Sequence, residues 1–71
     1  MEDFKLGTYR HFKGNLYKAI ALAKHSETLE DMVVYQALYG DFGIWVRPLS
    51  LWNEEVIDKN GNKVKRFTLI D

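Results

Sequence analysis

Met32-Val33-Val34-Tyr35-Gln36-Ala37-Leu38-Tyr39-Gly40-Asp41-Phe42-Gly43-Ile44-Trp45-Val46-Arg47-Pro48 is the stretch on which the fold turns. Met32 to Tyr39 concentrates β-branched and aromatic residues, which suit a pleated, half-buried surface. Alternation gives this run two faces: Met32, Val34, Gln36 and Leu38 on one, Val33, Tyr35, Ala37 and Tyr39 on the other. Gly40 to Gly43 breaks the pattern, with Asp41 reading as a turn residue between glycines. Ile44 to Arg47 resumes it until Pro48, which has no N–H to give to a sheet. The stretch therefore predicts a hairpin that ends at Pro48.

Working upstream, Gly7 to Phe12 is rich in β-forming residues, and Lys13-Gly14-Asn15 supplies a tight reversal. Leu16 to His25 is ambiguous, because Leu16, Ala19, Ile20 and Ala23 fit helical spacing. An alternating face of Tyr17, Ala19, Ala21 and Ala23, with Ile20 and Leu22 opposite, favours a strand. Ser26 to Asp31 is polar and acidic; Thr28 and Asp31 match the weak capping pattern of a helical turn, and a loop is the plain reading. Downstream, Leu49 to Ile57 fits a helical turn capped by Ser50 and an irregular strand equally well. Asn60-Gly61 is a strong hairpin signal, and Val64 to Ile70 supplies the returning strand with Phe67 and Leu69 on one face.

About five short strands, with turn signals every 8 to 12 residues or so, predict a mainly β domain. A flat sheet this small could not cover its own apolar face, so the favoured architecture is a small SH3-like barrel with room for one short helical turn. The 71 residues suffice for one domain, spanning residues 1–71. A single core in a chain this short seldom supplies more than about 3–5 kcal/mol, and the absence of cysteine removes the usual staple. It also excludes disulfides, thiolate metal sites and cysteine nucleophiles, and makes a reducing cytoplasm the expected location. Ala19 to Ala23, the longest strongly apolar run, is far too short to span a bilayer, and Met1-Glu2-Asp3 lacks the basic start of a secretory leader. Ten basic residues balance ten acidic ones, which argues against tight binding to duplex backbone and leaves room for a local basic patch.

Several motifs, taken in order, carry a resemblance: Gly7-x-Tyr9-Arg10-His11-Phe12-Lys13-Gly14, His25-Ser26-Glu27-Thr28, Val33-Val34-Tyr35, Leu38-Tyr39-Gly40-Asp41 and Trp45-Val46-Arg47-Pro48. Together they resemble the bacterial DUF1653 family over nearly the whole chain. The resemblance implies a stand-alone SH3-like β domain from bacteria and assigns no biochemical activity. Two places depart from the family pattern. Leu51-Trp52-Asn53-Glu54 stands where Met-Phe-x-Glu is usual, and Lys65-Arg66-Phe67 where Pro-Arg-Phe is usual. The first keeps its apolar character; the second bears on the turn before the last strand.

Residues capable of chemistry are few. His11, His25 and Glu27 are the candidate metal ligands, but their spacing matches no metal motif, so no metal or other cofactor is expected. His25-Ser26-Glu27 with Asp41 invites a nucleophilic reading, yet neighbouring residues on a strand point to opposite faces and cannot share a proton. Asp41-Phe42-Gly43 spells a kinase triplet without the loops that give it meaning.

The aromatics are more informative. Tyr9, Tyr17, Tyr35, Tyr39, Phe42, Trp45 and Trp52 exceed what so small a core must bury, and Tyr and Trp suit half-exposed sites. A cluster of them could stack a base, cage a cation or dock a proline-rich peptide, with Arg47, Asp41 or Glu27 choosing among these. The competing reading makes them core. Arg10, Lys13, Arg47, Lys63, Lys65 and Arg66 form at most a split basic face, since Lys63 and Lys65 point away from Arg66 on a strand. The leading expectation is a non-enzymatic module that binds a nucleic acid, nucleotide or peptide through Tyr9, Tyr39, Trp45 and Arg47, with His11, His25, Glu27 and Asp41 as further candidates. The alternatives are a small metal-dependent or hydrolytic accessory enzyme using the His, Glu and Asp cluster, and a structural or self-associating protein, monomer or homodimer.

Overall fold

The computed structural model describes residues 4–71; the Met1-Glu2-Asp3 start weighed above lies outside them. Among the described residues, seven strands and one short helix follow in the order β1 (Gly7–His11), β2 (Leu16–Lys24), β3 (Asp31–Ala37), β4 (Ile44–Pro48), α1 (Leu49–Trp52), β5 (Glu55–Ile57), β6 (Lys63–Lys65) and β7 (Phe67–Leu69). β1 to β4 and β7 form an antiparallel sheet in the order β4-β3-β2-β1-β7, while β5 and β6 pair separately. The mainly β expectation and the short helical turn both hold. The expected barrel of about five strands is instead two sheets that do not close on each other by backbone pairing.

The curl that brings the sheet's edges together begins in β2. Tyr17 pairs with Ala37 and Ala19 with Tyr35, but Ala21 pairs with Val34, so Ile20 is an extra residue. A bulge of this kind bends its strand and raises the local twist. It also reverses the alternation, which corrects the single face expected for Tyr17, Ala19, Ala21 and Ala23. Tyr17 and Ala19 share the inner face, Ala21 and Ala23 face outward beside Val34 and Met32, and Leu22 lies opposite Val33.

The inner face holds a core of Tyr9, Ala19, Val33, Tyr35, Leu49, Trp52 and Phe67, with Phe4 and Tyr17 packed against it. Trp52, only 1% exposed, is its centre. Its ring stacks on Phe67 at 3.7 Å and meets the rings of Tyr9, Tyr35 and Phe4 edge-on. The ambiguous stretch Leu49 to Ile57 thus contains both candidates, a helical turn that delivers Trp52 and then strand β5. Pro48, not Ser50, stands at the N-cap, with its fixed φ of −55° leading into the helix.

Val64 to Ile70 does not run as one strand. It splits at Arg66, whose N–H donates to the Glu54 carbonyl and whose own carbonyl accepts from the Phe12 N–H. Arg66 is therefore the point where the chain leaves the small sheet for the large one. The Asn60-Gly61 turn forms as expected, with Gly61 at φ +84° and the Asp58 carboxylate accepting from the N–H groups of Asn60 and Asn62.

Candidate functional site

β3 separates two groups of chemistry-bearing residues. The loop after β2 carries His25 and Glu27, and the turn after β3 carries Tyr39 and Asp41. A seven-residue strand holds these ends roughly 20 Å apart. The His25-Ser26-Glu27-Asp41 constellation therefore does not assemble. At its own end, His25 organises the loop: its Nδ1 accepts from the N–H of Glu27 at 3.1 Å, and Thr28 Oγ1 accepts from the N–H of Glu30. Among the described residues, no three His, Asp or Glu side chains cluster as a cation site would require.

Of the expected ligand-binding set, Tyr9 belongs to the core. Its ring lies parallel to Phe4 and its hydroxyl donates to the Lys5 carbonyl at 2.6 Å, while burial raises its pKa. His25 and Glu27 lie at the far end of β3, and His11, Tyr39, Asp41, Trp45 and Arg47 are the members left at or near the Tyr39 end. Trp45 sits opposite Tyr35 on the inner face of edge strand β4, yet it is 61% exposed, with its indole alongside Gly43. Arg47, two residues on and on the same face, sends its guanidinium across to Phe67, 5.8 Å from the ring centre. A residue of β4 thereby touches one of β7, the opposite edge of the sheet, which is where the curl is most evident. Arg47 takes part in no ion pair among the described residues, and its Nε is buried without a partner. Asp41 stands exposed in the adjoining turn.

His11 closes β1 beside this surface, its ring 5.0 Å from Phe67 and 6.1 Å from Tyr17. Its Nδ1 accepts from the Lys13 N–H at 3.2 Å, so Nε2 is the free nitrogen. Burial first, and then the positive charges of Arg66, Arg47 and Lys13, hold its pKa below the ordinary histidine value. Tyr17, omitted from the expected set, belongs here. Its hydroxyl lies 2.6 Å from that of Tyr39, and burial together with that hydrogen bond pushes its pKa up to about 12. Arg66 was also missed; its charge is shared with Glu54, 3.0 Å away. The only hint in sequence was the aromatic count and the basic run, since pairing across the curl is a long-range property.

The result is an open face and not a pocket. Clefts of about 420 Å³ and 700 Å³ lie elsewhere, the first lined by Lys5, Asn53 and Lys65, the second by Phe12, Lys13 and the Asp58–Asn60 turn. Neither reaches Trp45 or Tyr39. Such an arrangement can stack a flat group on an exposed ring and neutralise a negative charge; it has no assembled nucleophile and base.

A curled antiparallel sheet plugged by one tryptophan-bearing helical turn, with an aromatic and cationic face at one end, defines a small mainly β domain of open-faced type. The family model described as a protein of unknown function, DUF1653, matches residues 7–69, and the chain belongs to that family. It is similar to the crystal structure of a DUF1653 protein from Bordetella bronchiseptica, with 43% identity and a TM-score of 0.89 over 99% of this chain and 91% of that one. No curated protein matches.

Proposed function

We propose that this chain is a non-enzymatic binding module of the bacterial cytoplasm, taking a planar anionic ligand, a nucleotide or a single nucleic-acid strand, on the face of His11, Tyr17, Tyr39, Trp45 and Arg47. The supporting observation is the exposed Trp45 ring on the same strand face as Arg47, a guanidinium without a carboxylate partner among the described residues. Stacking on an aromatic ring contributes about 1–3 kcal/mol per base, and a charge-assisted hydrogen bond adds phosphate recognition. Openness suits a strand passing over the surface better than a small molecule that must be enclosed. The absence of cysteine and the bacterial relative support the location.

The test is an amide-resolved NMR titration with nucleoside monophosphates, short single-stranded oligonucleotides and proline-rich peptides. Shifts at Tyr39, the Trp45 indole and Arg47 with the first two, together with a rise in the His11 pKa as phosphate binds, are expected. Arg47→Ala should weaken binding about tenfold. Shifts confined to the clefts, a response to peptide alone, or none at all would overturn the proposal.

A further inference from the structure

The backbone groups of β4 divide between the sheet and solvent. The Ala37 N–H donates to the Gly43 carbonyl at 2.9 Å, so these two residues are a hydrogen-bonded pair. Such pairs alternate along an antiparallel ladder, so Trp45 with Tyr35 and Arg47 with Val33 are hydrogen-bonded too. Ile44, Val46 and Pro48 fall at the intervening positions, where backbone groups point away from β3. β4 is the end of the sheet order, and Ile44, Trp45 and Val46 are 62%, 61% and 60% exposed. An edge presenting free N–H and C=O groups among large apolar side chains is a template for another strand.

We infer that β4 pairs antiparallel with β4 of a second copy, about a two-fold axis through Val46. The self-complementarity of the strand selects this occupant. Centring the pair on Val46 sets Val46 against Val46, Ile44 against Pro48 and Trp45 against the stem of Arg47, with no like charges opposed. The two Val46 residues exchange their outward N–H and C=O groups. Trp45 and Arg47 fall at the closer, non-hydrogen-bonded positions, where cross-strand side chains interact most strongly. Ile44, Val46 and Pro48 of both copies then form one apolar strip on the outer face. The ladder is short and ends at Pro48, which has no donor, so the dimer belongs to the weak class of interfaces below about 1,200 Å².

The test needs no ligand and is therefore separable from the binding proposal. Sedimentation from about 10 μM to about 1 mM should show a monomer passing to a dimer. Amide exchange at Ile44 and Val46 should slow with concentration, while that at Trp45 and Arg47 stays constant. Val46→Pro removes an outward donor and no β3–β4 bond, and Val46→Lys opposes two positive charges at the axis. Both variants should remain folded by NMR and be monomeric throughout. A wild-type monomer at every concentration, or a dimer unaffected in folded Val46→Lys, would overturn the inference.

Discussion

His11 serves a turn and a surface at once. Its Nδ1 takes the Lys13 N–H while its ring lies between Phe67 and Tyr17 under the influence of three cations. Because its pKa is lowered on folding, the unfolded chain takes up a proton first as pH falls. Stability is accordingly full above the ordinary histidine pKa, about 6.5, and declines below it until the folded imidazole also protonates. His11→Asn keeps an acceptor for the Lys13 N–H and cannot titrate. Urea denaturation of both proteins between pH 7.5 and pH 5 should therefore show the wild type losing stability relative to the variant; parallel curves would refute the assignment.

Among the elements, β2 shows how far sequence reasoning reaches. Its apolar alternation marked a strand, and so did the richer pattern of β3, because both signals are local. The bulge at Ile20 was not legible, since an extra residue is defined only against the partner strand, which pairs 54 by index sum before it and 55 after. The same gap explains why Tyr9 and Trp52 entered the list of surplus aromatics although both are core, and why Arg66 was not seen to divide the last strand. Turn chemistry at Lys13–Asn15, Gly40–Gly43 and Asn60–Gly61 was readable residue by residue; the meeting of Arg47 with Phe67 across the curl was not. Deleting Ile20 tests the role assigned to the bulge. Without the extra residue the ladder runs on and Ala21, Leu22 and Ala23 keep their faces, but the bend that the bulge gives β2 is lost. We expect a loss of about 2 kcal/mol or more, read by chemical denaturation, whereas replacing Ile20 with Val at this exposed position should change little.

For the molecule as a whole, one small core carries the structure. Large-to-small replacement of a buried tryptophan costs about 3–5 kcal/mol, comparable to everything a chain of this length gains from its core. Trp52→Ala should therefore abolish the dispersed NMR spectrum at 25 °C, while Trp45→Ala should preserve it. A folded Trp52→Ala variant would mean that the contact of four rings with residue 52 is dispensable. The two tryptophans also divide the molecule optically. Trp52 is enclosed by rings and Trp45 faces water, so their emission should differ in colour and in access to a soluble quencher such as iodide. The blue, protected component follows the integrity of the core, and the red, quenchable one follows whatever covers the β4 edge or its neighbouring face. The unlabelled protein thus carries separate optical reporters of its folding and of its surface.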